Sequence, residues 1–124
     1  MARTSKLLLG STVGQINVTG DKVQAAAFFN NTSALHTIAV YTQDLDGRIS
    51  IQATLATHPK DDDWFTVQID PNSMTDYVEY SATTGIFTFS FTGNYVWVRA
   101  VLDRSYLSNP SNPHGYINKI LLNY

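Results

Sequence analysis

The sequence predicts an all-β protein, a single-domain antiparallel β-sandwich, from three observations. The first is the run from Gly85 to Val101. Phe87, Phe89 and Phe91 recur at every second residue, and beyond Gly93-Asn94 the residues Val96, Val98 and Ala100 alternate with Tyr95, Trp97 and Arg99. Side chains two apart along a strand share a face. A Gly-Asn pair tolerates the positive φ of a tight reversal. The spacing therefore predicts an aromatic core hairpin carrying Phe87, Phe89, Phe91, Val96, Trp97 and Val98. The second observation is a series of short strand candidates punctuated by turn residues. The third is that no window carries a helical pattern, since Ala25-Ala26-Ala27 leads directly into Phe28-Phe29 and two asparagines.

In chain order the candidates are Lys6–Leu9, Gly14–Val18, Val23–Phe29, Leu35–Thr42, Arg48–Thr57, Trp64–Asp70, Asp76–Ser81, Gly85–Phe91, Tyr95–Leu102 and Tyr116–Asn123. Turns are expected at Thr19-Gly20-Asp21, Asn30-Asn31, Asp46-Gly47, Pro59–Asp63, Asp70-Pro71-Asn72 and Thr83-Thr84-Gly85. Ile49, Ile51, Ala53 and Leu55 alternate with Ser50, Gln52 and Thr54, and Phe65, Val67 and Ile69 alternate with Thr66 and Gln68. One buried and one wetter face per strand is the signature of packed antiparallel sheets. Asn109-Pro110 and Asn112-Pro113 interrupt strand pairing, so 103–115 reads as a surface loop. Residues 1–5 form a polar arm and 6–124 one domain.

The chain has 124 residues, a net charge of −2 and no cysteine. That length supports a real core, and the lack of cysteine removes disulfides and thiolate chemistry. The charge gives no footing for nucleic acid. Ser, Thr and Asn number 33 against eight Lys or Arg and ten Asp or Glu, so the surface is dominated by neutral hydrogen-bonding groups. Arg3 and Lys6 precede only three leucines, short of a secretory apolar core. No stretch approaches the ~20 apolar residues of a membrane span. A soluble protein without membrane or nucleic-acid partners is expected.

Catalytic chemistry finds little support. His36, His58 and His114 lie in separate segments with no ligand-like spacing, which argues against zinc. Asp61-Asp62-Asp63 and the pair Asp44, Asp46 lack the spacing and distal Glu of a calcium loop and read as solvated turn acids. Asp70, Asp76, Glu79 and Asp103 could serve as paired carboxylates, but nothing in the sequence pairs them. There is no nucleophile elbow or phosphate loop. No metal, cofactor or catalytic residue is assigned. Trp64 and Trp97 read as core or boundary residues, and Tyr106 and Tyr116 as contact residues flanking the proline loop. Arg99, in mid-strand, calls for an aromatic ring or a carboxylate beside it.

Four ordered segments carry a resemblance. They are Gly47-Arg48-Ile49-Ser50-Ile51-Gln52-Ala53-Thr54-Leu55-Ala56-Thr57, Asp63-Trp64-Phe65, Phe89-Ser90-Phe91-Thr92-Gly93-Asn94-Tyr95-Val96-Trp97-Val98-Arg99-Ala100, and Gly115-Tyr116-Ile117-Asn118-Lys119-Ile120-Leu121-Leu122. Together they resemble small virion structural proteins of tailed bacteriophages, including those of cyanobacteria, over roughly residues 35–124. The resemblance implies a jelly-roll-like sandwich assembled into the virion in the host cytoplasm. It implies a capsid decoration or cement protein, a homo-oligomer with a trimer favoured, bound to the major capsid protein or another virion protein. The interface residues expected are Arg3 and Lys6 in the arm and Tyr106, Asn109, Pro110, Asn112 and Tyr116 around the long loop. The alternative it leaves open is a tail, baseplate or fibre component with carbohydrate binding at the host surface.

Overall fold

In the computed structural model, residues 5–13, 15, 17–25, 35–70, 75–107 and 115–124 are described. They form β1 (Ser5–Leu9), β2 (Val18–Thr19), β3 (Val23–Gln24), β4 (Leu35–Thr54), β5 (Phe65–Val67), β6 (Val78–Thr92), β7 (Trp97–Asp103) and β8 (Tyr116–Asn123), with a 3-10 turn at Asp61–Asp63. The protein is all-β, and the eight strands join one antiparallel sheet that curls on itself. β8 has the bounds its sequence predicts. Ser5 belongs to β1, opposite Asn123, so the strand begins one residue inside the expected arm. Residues 1–4, including Arg3, lie outside the described residues, as does most of the expected strand Val23–Phe29.

β4 is the axis. It runs unbroken for 20 residues where two strands and an Asp46-Gly47 turn were expected. On one side it pairs with β6 and then β5, and on the other with β8 and then β7. Its alternation explains how one strand serves two stretches of core. His36, Ile38, Val40 and Thr42 are buried at even positions, and Leu45, Gly47, Ile49, Ile51 and Ala53 at odd ones. An extra residue in the ladder flips every later side chain to the opposite face. The register slips where the parity changes, between Thr42 and Leu45 and again before Gly47, and Asp44 sits there at φ 49°.

β6 does the same opposite it. The expected turn at Thr83-Thr84-Gly85 is a second irregularity inside one strand, with Ala82 at φ 43°. The two acids read as solvated turn residues staple these irregularities together. Asp46 Oδ1 accepts from the Ala82 N–H at 2.6 Å, and the Asp44 N–H donates to Thr84 Oγ1 at 2.9 Å. Gly115, at φ +70°, packs directly on the main-chain carbonyls of Gln43 and Asp44. Only glycine fits so close an approach at that φ.

The expected hairpin at Gly93-Asn94 does not form. Arg48 pairs with Glu79 of β6 on one side and Asp103 of β7 on the other, so β4 lies between the two strands. The register shows why. Thr92 ends β6 opposite Leu35, at the start of β4, and Trp97 begins β7 opposite Thr54, at its end. A flat 20-residue strand would hold those points about 60 Å apart, but the five Cα steps from Thr92 to Trp97 reach at most about 19 Å. β4 must curl until its ends nearly meet, and 93–96 is the short crossover between them. Val96 anchors it, donating to Thr54 O and accepting from Ala25 N–H.

The concave face holds the core: Ile38, Val40, Ile49 and Ile51 of β4, Val98, Ala100 and Leu102 of β7, and Ile117, Ile120 and Leu122 of β8. Each such aliphatic contributes about 1.5–3 kcal/mol when fully buried. Phe91 and Val98 are buried as expected, and Phe87 and Phe89 pack against the core half-buried. Val96 and Trp97 stay half-buried at the boundary. Where the ends of β4 meet, the fully buried His36 stacks on Phe91 at 5.0 Å, and Tyr95 bridges that pair to Phe65 of β5.

Two measurements check this account. Gly115→Ala should lower stability by more than about 3 kcal/mol, through a strained φ and a Cβ forced onto main chain; a loss under about 1 kcal/mol on urea denaturation would place Gly115 clear of the bend. Tyr80 supplies a pH signature. Its buried hydroxyl has no hydrogen-bond partner, and burial, helped by Asp70, pushes its pKa up to about 12. An unfolded tyrosine ionises near 10, so the unfolded state gives up its proton first and stability falls as pH rises from about 10 to 12. Tyr80→Phe should flatten that decline and keep or slightly raise stability at neutral pH, as read from unfolding curves across the alkaline range.

Candidate functional site

The curl gives the sheet a convex outer face, where the alternate positions of β4 and β7 place polar residues side by side. Arg48 lies opposite Asp103, Ser50 opposite Val101 and Gln52 opposite Arg99, while Thr54, opposite Trp97, is fully buried. β5 adds Thr66 beside Gln52, and β6 adds Glu79 beside Arg48. A cleft of about 200 Å³ opens here between Arg48, Ser50, Thr66, Asp76, Tyr77 and Asp103.

Arg48 is held from three directions. Its Nε donates to Glu79 Oε1 at 2.8 Å, and its guanidinium lies 4.5 Å from the Tyr77 ring and 4.0 Å from the Tyr106 ring. The hydrogen bond to Glu79 raises its pKa against the opposing effect of burial. Asp103 accepts from the hydroxyl of Ser105 at 2.6 Å and from its N–H at 2.9 Å, which holds the carboxyl below the usual range and keeps it ionised. The cleft thus offers a fixed cation, an ionised acceptor, two hydroxyls and an aromatic wall.

The same arrangement recurs along the face. Arg99 donates to Gln52 Oε1 at 2.7 Å and lies 4.1 Å over the Trp64 ring, the stacking its mid-strand position called for. Lys22 sits 4.8 Å over Trp97, whose indole N–H donates to Thr57 O at 3.0 Å. Both tryptophans are boundary residues on the outer face, each with a cation over its ring. The electron-rich ring faces attract these cations.

Among the described residues the curl also leaves two seams where strand edges approach without pairing with each other. Between β5 and β6 a cleft of about 420 Å³ is walled by residues 65–69 and 90–92 and closed by Tyr95. Between β1 and β2 a cleft of about 300 Å³ is walled by residues 7–10 and 18–21 together with Val23. Lys6 lies near the second seam, its Nζ donating to Gln24 Oε1 at 3.2 Å. Tyr106 belongs to the Arg48 stack, and Tyr116 begins β8 half-buried opposite Gln43. These three expected interface residues therefore occupy different surroundings, and Asn109, Pro110 and Asn112 lie outside the described residues. Among the described residues no group of three or more His, Cys, Asp or Glu is placed to hold a metal ion. No protein-family model, curated protein or solved structure matches the chain.

Arg104 escaped the sequence reading. It is fully buried, with Nη2 donating to Gly115 O at 2.9 Å and with Nε and Nη1 lacking partners. Desolvation lowers its pKa, and Asp46 partly offsets that effect. The signal was its parity, since Val98, Ala100, Leu102 and Arg104 fall on one face. A buried guanidinium with one bond costs desolvation that an apolar side chain of similar length avoids. Arg104→Met should therefore stay within about 1–2 kcal/mol of the parent, whereas Arg104→Ala should lose about 2–4 kcal/mol to the cavity and the orphaned Gly115 carbonyl. Equal losses for the two variants in urea denaturation would show that the charge, not the volume, holds the bend.

Proposed function

We propose that this chain is a non-enzymatic virion structural protein of a tailed bacteriophage, a capsid decoration or cement protein whose curled sheet serves as a jelly-roll-like assembly module. The observation that carries the reading is the pair of seams bounded by strand edges and fringed by exposed apolar side chains. Phe65 at the first seam is 41% exposed and Leu7 at the second 57%. Unpaired edges beside apolar surface invite contact with another chain. The motif series that resembles those of virion proteins points the same way, and supplies the expectation of a homo-oligomer, a trimer favoured, bound to the major capsid protein or another virion protein. A cement acts by mass action, stabilising the assembled shell because it binds that state and not its dispersed parts.

A second reading, a tail, baseplate or fibre component that binds host-surface carbohydrate, is favoured by the Arg48 cleft. Vicinal hydroxyls would find donors in the guanidinium, acceptors in Asp76 and Asp103, and a ring wall in Tyr77. Trp64 and Trp97 lie half-buried on that face, so glycan-dependent quenching of their fluorescence would report such binding. The test is cryo-EM of the virion with and without this protein. Density at capsomer junctions, with a more fragile shell when the protein is missing, is the expected result, and Tyr106→Ala combined with Tyr116→Ala should lower occupancy while the fold persists. Density confined to the tail would overturn the cement reading.

A further inference from the structure

The cleft around Arg48 carries more hydrogen-bonding capacity than the fold uses. It is lined by Arg48, Ser50, Thr66, Asp76, Tyr77 and Asp103. Arg48 and Ser50 are two residues apart on β4, about 7 Å, and Asp103 lies opposite Arg48, one strand spacing or about 5 Å away. Thr66 enters from β5 beside Gln52, and the Tyr77 ring lies 4.5 Å from the guanidinium. All six residues are at least partly exposed, with the Arg48 side chain at 32%. The unspent groups are nearly all acceptors. Ser105 donates twice to Asp103 Oδ1, which leaves Oδ2 without a partner. Among the described residues no protein group bonds the Asp76 carboxylate or the hydroxyls of Ser50 and Thr66.

Charge narrows the choice of ligand. Glu79 neutralises the Arg48 guanidinium at 2.8 Å, so Asp76 and Asp103 leave the cleft with an excess of negative charge. An anionic ligand would be repelled, and a neutral one would leave both carboxylates without a counter-charge. Calcium takes roughly six to eight oxygens, and among the described residues no group of three or more His, Cys, Asp or Glu is placed to hold a metal ion. A primary ammonium brings three donors and no acceptor, which matches the unspent groups. The guanidinium adds a different requirement. Only its Nε is bonded to Glu79, and its two terminal nitrogens are donors that ring hydroxyls would use and an alkylamine would not.

We infer that the Arg48 cleft binds an amino sugar, a hexosamine whose amino group is free and protonated. The ammonium lies against Asp76 and Asp103 Oδ2, and the neighbouring ring hydroxyls bond Ser50, Thr66 and the Arg48 guanidinium. Charge-assisted bonds of this kind are about twice as strong as neutral ones, so the amine sets the selectivity. Acidic sugars are excluded by the same charge. The inference rests on the carbohydrate reading for the sugar, and on the charge of the cleft for the amine.

The experiment titrates the full chain, 15N-labelled, with the methyl glycosides of glucosamine, N-acetylglucosamine, glucose and glucuronic acid, and separately with butylamine and with calcium. The expected result is saturable shifts at the amides of Ser50, Thr66, Tyr77 and Asp103, with the glucosaminide bound about tenfold more tightly than the glucoside, the worth of one charge-assisted bond. The N-acetylated glycoside should fall to the level of the glucoside, and the glucuronide below it. Asp76→Asn, at an exposed position, should erase the advantage of the glucosaminide with the circular dichroism spectrum unchanged, and added salt should shrink it. Equal binding of glucosaminide and glucoside would overturn the inference and leave the carbohydrate reading standing. Butylamine as tight as the glucosaminide would assign the cleft to a lysine side chain of a partner protein, and tighter calcium would assign it to a metal ion; either overturns the amino sugar. Glycosides that shift none of these amides at high millimolar concentration would remove the inference and the carbohydrate reading together, while the cement reading is decided on the particle.

Discussion

The curling of β4 is the constraint on which the rest of the structure depends. A single strand that must bring its two ends within reach of a short crossover cannot stay flat. Its ladder is irregular at Asp44 and, across it, at Ala82, both with positive φ. Around that point the chain collects unusual chemistry: the Asp46 carboxylate accepting from Ala82 N–H and the Asp44 carboxylate from the Thr84 hydroxyl, a glycine seated on bare main chain, and a buried arginine that reaches the glycine's carbonyl. The convex polar face, the concave core and both seams follow from the position of this bend.

Much of this was legible in the sequence, and the errors share one cause. Alternation identified the strand residues, the core face of Phe87, Phe89 and Phe91, and the bounds of β8. What alternation cannot carry is the identity of a strand's neighbour. Gly93-Asn94 looks like a reversal because that pair tolerates the required backbone, yet the chain uses it to pass from one side of β4 to the other. Asp46-Gly47 and Thr83-Thr84-Gly85 looked like turns because bulges and turns draw on the same residue types. The parity change from Val40 to Ile49 was visible but did not discriminate, because a turn between two separate strands imposes no parity and a bulge shifts it by one.

The outer face shows a different division between sequence and structure. The need of Arg99 for an aromatic neighbour follows from its place in a strand, and Trp64 meets it. The sandwiching of Arg48 between Tyr77 and Tyr106 joins residues from β4, the approach to β6 and the segment after β7, so no local pattern announces it. Placing the cations over the rings has a structural effect as well. It leaves the tryptophans anchored on the surface without requiring that they be buried, and frees the interior for small aliphatic side chains.

The pairing of β8 with both β1 and β4 carries a consequence for how the chain is made. Ser5 meets Asn123 and Thr37 meets Asn123, so strands near the beginning of the sequence wait for partners more than eighty residues downstream. Until residues 116–123 have left the ribosome, one flank of β4 lacks its ladder and Ile38 and Val40 lack the aliphatic row of β8. Closing such long loops is entropically slow, and all-β chains dominated by distant contacts fold in milliseconds to seconds. Nascent chains would therefore carry an open, sticky half-sheet until translation has passed β8, and the fold would close only then.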